Sequence, residues 1–91
     1  MYTRYRGSGV YISTATTTQV KTGSGHLGRV LFTGGTMGTV TIYDNTAASG
    51  TIIASFDSTM PLGSHTIGQE FAIGCCVVTS AAQKVTVIFD N

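Results

Sequence analysis

The chain has 91 residues and a mass of 9.5 kDa, enough for one domain around one small core. Charged residues make up only 10% of it, with Lys+Arg 5 against Asp+Glu 4, so a net charge of +1 offers little of the basic field that general nucleic-acid binding uses. No apolar run nears the roughly 20 residues of a membrane-spanning helix, and nothing of signal-peptide character follows Arg4 and Arg6, so neither a membrane partner nor a standard secretion signal is expected.

Residues 1–9 carry no strand pattern. Tyr2, Arg4, Tyr5 and Arg6, followed by Gly7, Ser8 and Gly9, read as a short arm on a flexible joint. Flat rings and forked guanidinium groups are enriched at the centres of protein interfaces, so these four residues are the candidate interface of the arm with a neighbouring subunit, simple terminal disorder being the equal alternative. Residues 10–91 are expected to form one β domain. Val10 to Val20 is Thr-rich with Val10, Ile12 and Val20 as apolar anchors, and Leu27 to Thr33 reads as a strand bounded by glycines.

Gly38 to Asn45 alternates cleanly, with Val40 and Ile42 on one face and Thr39, Thr41 and Tyr43 on the other, which is the signature of a half-buried strand. Thr51 to Asp57 alternates again, setting Ile52, Ala54 and Phe56 opposite Ile53, Ser55 and Asp57. The small polar link Asn45 to Gly50 joins the two as a hairpin. A short strand is expected around Ser64 to Ile67, after the turn at Pro61 to Gly63. Phe71 to Thr79 is apolar almost throughout and reads as a strand covered on both faces; Ser80 to Gln83 is its turn. Lys84 to Asp90 then places Val85, Val87 and Phe89 inward and Thr86 and Ile88 outward, and is expected to pair with the preceding run as a terminal hairpin. Seven to eight short strands at this spacing predict an all-β antiparallel sandwich of jelly-roll or Greek-key type.

The residues of chemical interest are few. His26, His65, Cys75 and Cys76 lack the spacing of a zinc site, and adjacent strand residues point to opposite faces. The neighbouring cysteines close no useful loop as a disulfide and are expected to be reduced core or interface residues, as in a reducing cytoplasm, with the histidines in loops or on the surface. Asp44, Asp57 and Asp90 stand singly at strand ends, where turn capping accounts for them; Glu70 completes the set from which a carboxylate pair would have to come. No Ser lies in a nucleophile-elbow motif. Gly34, Gly35 and Gly38 lack the Lys of a phosphate loop and read as turn glycines reaching positive φ. The expectation is therefore a protein without catalysis, cofactor, metal or small-molecule substrate.

At Gly38 to Phe56 (GTVTIYDNTAASGTIIASF), and again at the ending after Lys84 (VTVIFDN), the chain resembles small virion structural proteins of tailed bacteriophages. The resemblance implies a capsid decoration or cement protein on the outside of the particle. Its partners would be the major capsid protein and copies of itself, as a homotrimer at threefold positions, after assembly in the host cytoplasm. A tail, baseplate or connector component is the nearest alternative. A receptor- or carbohydrate-binding module is the other, and would present exposed aromatic rings, for which Tyr11 and Tyr43 are the candidates.

Overall fold

The computed structural model describes residues 8–59 and 61–90, and these form eight strands with antiparallel pairing throughout. They are β1 (Ser8–Ile12), β2 (Thr17–Thr22), β3 (Gly25–Gly35), β4 (Val40–Asp44), β5 (Thr51–Phe56), β6 (Gly63–Phe71), β7 (Gly74–Thr79) and β8 (Gln83–Asp90). One sheet has the order β1-β8-β3-β6 and the other β2-β7-β4-β5. First pairs with eighth, second with seventh, third with sixth and fourth with fifth, so the chain is a long hairpin whose tip is the β4–β5 turn. Rolling that hairpin up adds the β3–β8 and β4–β7 pairings and gives the jelly roll. The shortest dimension, 17 Å, is that of two sheets stacked about 10 Å apart with their outer side chains.

The inward residues of the two sheets meet in one core. Ile12, Leu27, Val30, Phe32, Phe71, Val85 and Val87 come from the first sheet, and Val40, Ile42, Phe56, Cys75 and Val77 from the second. The inward faces expected from alternation hold in β4 at Val40 and Ile42 and in β8 at Val85 and Val87, all fully buried, whereas Phe89, also expected inward, is half-buried and stands outside the core cluster. Phe32 and Phe56 meet edge to face across the sandwich with centroids 5.2 Å apart, a geometry that aligns the positive ring edge with the negative face.

Several expectations need correction. β7 and β8 do not form a terminal hairpin. β7 lies between β2 and β4 and β8 between β1 and β3, so the link at 80–82 crosses from one sheet to the other. Val10 to Val20 is likewise split between the sheets. Its corner is held by the buried Thr79, whose Oγ1 donates to Thr14 O at 2.6 Å and accepts from Thr16 N at 3.0 Å. In β5 the alternation slips at a bulge, where Ile42 faces Ala54 but Tyr43 faces Ile52. Ile53 consequently packs against the core while Ile52 is 54% exposed. Finally, Gly34 and Gly35 have positive φ but lie at the end of β3, beside a bulge and paired with β8, rather than in a turn, and Gly38 does not have positive φ. Gly38 is required by close approach, since a Cβ there would lie 2.5 Å from Ser80 Oγ and 2.7 Å from Ala81 Cβ.

β1 also begins at Ser8, paired with Phe89, so Ser8 and Gly9 belong to a strand. Tyr2, Arg4, Tyr5 and Arg6 lie outside the described residues.

Candidate functional site

The two outward sheet faces differ in charge. On the first sheet, one row across the strands reads Tyr11, Thr86, Leu31, Ser64 and the next Gly9, Ile88, Arg29, Thr66. A third row carries Asp90, His26 and Glu70, so this face holds charge at its middle and at one end. On the second sheet the rows read Thr17, Val78, Thr41, Ser55 and Gln19, Cys76, Tyr43, Ile52, without a charged side chain among them. Strand periodicity makes that face: Val40 and Ile42 go to the core, which turns the hydroxyl of Thr41 and the ring of Tyr43 outward.

Cys76 lies on this outward face yet is only 1% exposed, between Gln19 and Tyr43 on the flanking strands. Cys75 points into the core. Both are free thiols. Burial, reinforced by the Cys76 thiol and the Asp44 carboxylate, pushes Cys75 up to about 12, and burial raises Cys76 as well. A thiol so raised is a thiolate too rarely to serve as nucleophile or metal ligand near neutral pH.

Next to the neutral face, the Asp44 carboxylate clamps the turn between β6 and β7. Its Oδ1 accepts from Ile73 N at 2.8 Å, Ala72 N at 3.1 Å and Gly74 N at 3.3 Å. These donors, Ile73 first and then Ala72, hold the carboxyl below its ordinary 3.8. Asp57 is held low in the same way by the Thr59 hydroxyl and N–H, within its own turn. Asp44 is thus a cap, though of a turn 28 residues downstream rather than of its own strand end.

Among the described residues, a shallow recess of about 230 Å³ is lined by Ser24, Gly25, His26, Glu70 and Phe71. Ser24, His26 and Glu70 supply the residue types of a hydrolytic triad, but no hydrogen bond links them. The nucleophile–base contact on which such chemistry depends is not assembled here. Among the described residues no three of His, Cys, Asp and Glu stand close enough together to hold a metal ion. His26 sits in β3 on the outward face. His65 is a strand residue of β6 rather than a loop histidine, half-buried with its ring 5.3 Å from that of Phe32 and its Nε2 3.0 Å from Pro61 O.

The candidate aromatics are kept apart. Tyr11, 58% exposed, belongs to the first sheet and Tyr43 to the outward face of the second, so the two rings do not make one platform. No family model matches the chain, and no curated protein matches it as a relative.

Proposed function

We propose that the protein is a non-enzymatic structural subunit that docks through the uncharged outward face of its β2-β7-β4-β5 sheet. The setting we propose is the exterior of a tailed-phage capsid, where it acts as a decoration or cement protein. The observation that carries this reading is that face: two full rows of residues across four strands without one charge, bearing hydroxyls at Thr17, Thr41 and Ser55 and exposed apolar surface at Ile52. Docking such a face desolvates no ion, and the hydroxyls can exchange water for backbone or side-chain partners on the shell. Rigid strands hold the contact groups in fixed register, which suits a contact repeated many times on a symmetric particle. The jelly roll is compatible with this role without specifying it, because one fold hosts many functions.

The test is the composition of the particle. Virions purified from the source of this chain should contain it in a copy number that is a simple fraction of the capsid protein, and virions lacking it should release DNA at a lower temperature. Its absence from purified particles overturns the reading. Rings of another symmetry bound to a tail protein would move it to the tail or baseplate.

A further inference from the structure

We propose that β1 is a self-association edge, across which a second copy of this chain pairs antiparallel, extending the β1-β8-β3-β6 sheet through a two-fold axis at Val10. This inference is independent of the capsid reading. A sheet edge offers unpaired backbone donors and acceptors, and proteins that stay apart blunt such edges with bulges or charges.

Three of the four edges here are blunted. β2 is bulged between Gln19 and Lys21 and carries that lysine; β5 is bulged at Ile53; β6 is irregular where it meets Leu27 and Arg29, and bears Glu70. β1 is different. Its five residues, SGVYI, are uncharged, contain no proline and keep unbroken register with β8, and among the described residues no strand pairs with the opposite side.

The register of the contact follows from the strand. Residues directly opposite in an antiparallel pair point to the same face, so a strand paired with its own copy must have its axis at a residue, and only Val10 uses all five. That axis sets Tyr11 of each copy opposite Gly9 of the other. Val10 and Ile12 pack against the core, so Gly9 and Tyr11 share the outward face, and the Tyr11 ring is 58% exposed and available.

Gly9 is the second, independent observation. Glycine inside a strand is destabilising unless something approaches its bare backbone. Among the described residues of one copy nothing requires it: its φ is not positive, and a Cβ would meet Thr86 Cγ2 at 3.6 Å and Val87 O at 4.0 Å, both ordinary contacts. An aromatic ring from the facing strand is a known means of covering such a glycine. The Val10-centred pairing supplies one on each side of the axis. Because no charge lies on β1, pairing it with itself opposes no like charges.

The experiment is analytical ultracentrifugation of the full chain up to about 1 mM, the range in which so small an interface assembles. The wild type should pass from monomer to dimer as concentration rises, with slowed amide exchange confined to β1. Tyr11→Glu should stay monomeric without change in its melting temperature when dilute, because two carboxylates would then face each other diagonally across the axis. Leu62→Glu, at an equally exposed apolar residue in the loop before β6, should dimerise like the wild type. Adding Gly9→Lys to Tyr11→Glu should restore the dimer, since each introduced ammonium would stand opposite an introduced carboxylate. A wild type that remains monomeric or forms only trimers, equal loss in Leu62→Glu, or an unaffected Tyr11→Glu overturns the proposal. A double variant that stays monomeric overturns the Val10-centred register.

Discussion

Asp44 shows how much one half-buried carboxylate can organise. Ala72, Ile73 and Gly74 present consecutive backbone N–H groups where β6 ends and β7 begins, and a single oxygen accepts from all three. Charge strengthens each bond, so the ionised form is favoured in the fold and the carboxyl is held below its ordinary 3.8. The linkage sign follows. A carboxyl depressed in the folded state contributes stability that is fully present above its unfolded value and is lost as pH falls through the lower folded value. Asp44→Asn keeps an oxygen for Ile73 N–H but removes the charge. It should lower the melting temperature at pH 7 and make the decline below pH 4 shallower; Asp57, depressed by Thr59, supplies the part that remains. Melting curves from pH 7 to pH 2 measure this, and parallel wild-type and variant profiles would refute the clamp. That Asp44 caps a turn was readable from its place at a strand end. Which turn was not, because the partners lie 28 to 30 residues away.

At the scale of the strands, a close contact joins two crossings of the sandwich. The 36–39 link enters β4 beside the 80–82 link leaving β7. There Gly38 N donates to Gln83 Oε1 at 3.0 Å, Thr39 N to Ser80 Oγ at 2.7 Å, and Ser80 N to Thr39 O at 3.0 Å. Gln83 is fully buried, and its Nε2 has no partner among the described residues, which leaves its bond to Gly38 as the compensation for its burial. Gly38→Ala should therefore push the crossings apart at a cost of about 1–3 kcal/mol. Ile42→Ala, which opens the core without touching the crossing, should cost about 2–5 kcal/mol. Urea denaturation of both variants checks this, and a Gly38→Ala protein as stable as wild type would mean that the links are not in contact. The same region shows where sequence reading reaches its limit. Alternation identified the inward faces of β4 and β8 because each strand buries one side. The run around Cys75–Val77 is buried on both sides, so its pattern carries no information about sheet membership, and proximity along the chain pointed to β8 as partner. Ile52 and Ile53 exchanged roles because a bulge adds one residue that no periodicity announces.

For the molecule as a whole, what separates the two sheets is the distribution of charge over their outward faces, and this makes the docking surface testable without knowing its partner. Arg29, His26, Glu70 and Asp90 lie on the first face, while the rows through Thr41 and Tyr43 on the second are neutral. A neutral contact gives no long-range steering, and its specificity comes from fit and from the absence of buried ions. A carboxylate placed in the centre of such a contact would be desolvated without a partner, whereas the same group on an open face would stay in water. Thr41→Glu puts it at the centre of the neutral face, between Val78 and Ser55, and Thr66→Glu puts it beside Arg29 on the other. Both positions are on outward faces, so each isolated protein should keep its stability within about 0.5 kcal/mol of wild type. Thr41→Glu should then lose occupancy on purified shells, and Thr66→Glu should retain it, when bound protein is measured by sedimentation with shells lacking the native subunit. The reverse outcome would transfer the docking role to the charged sheet. Loss in neither variant would mean that the shell contact does not use a sheet face and must be sought at the strand edges and loops.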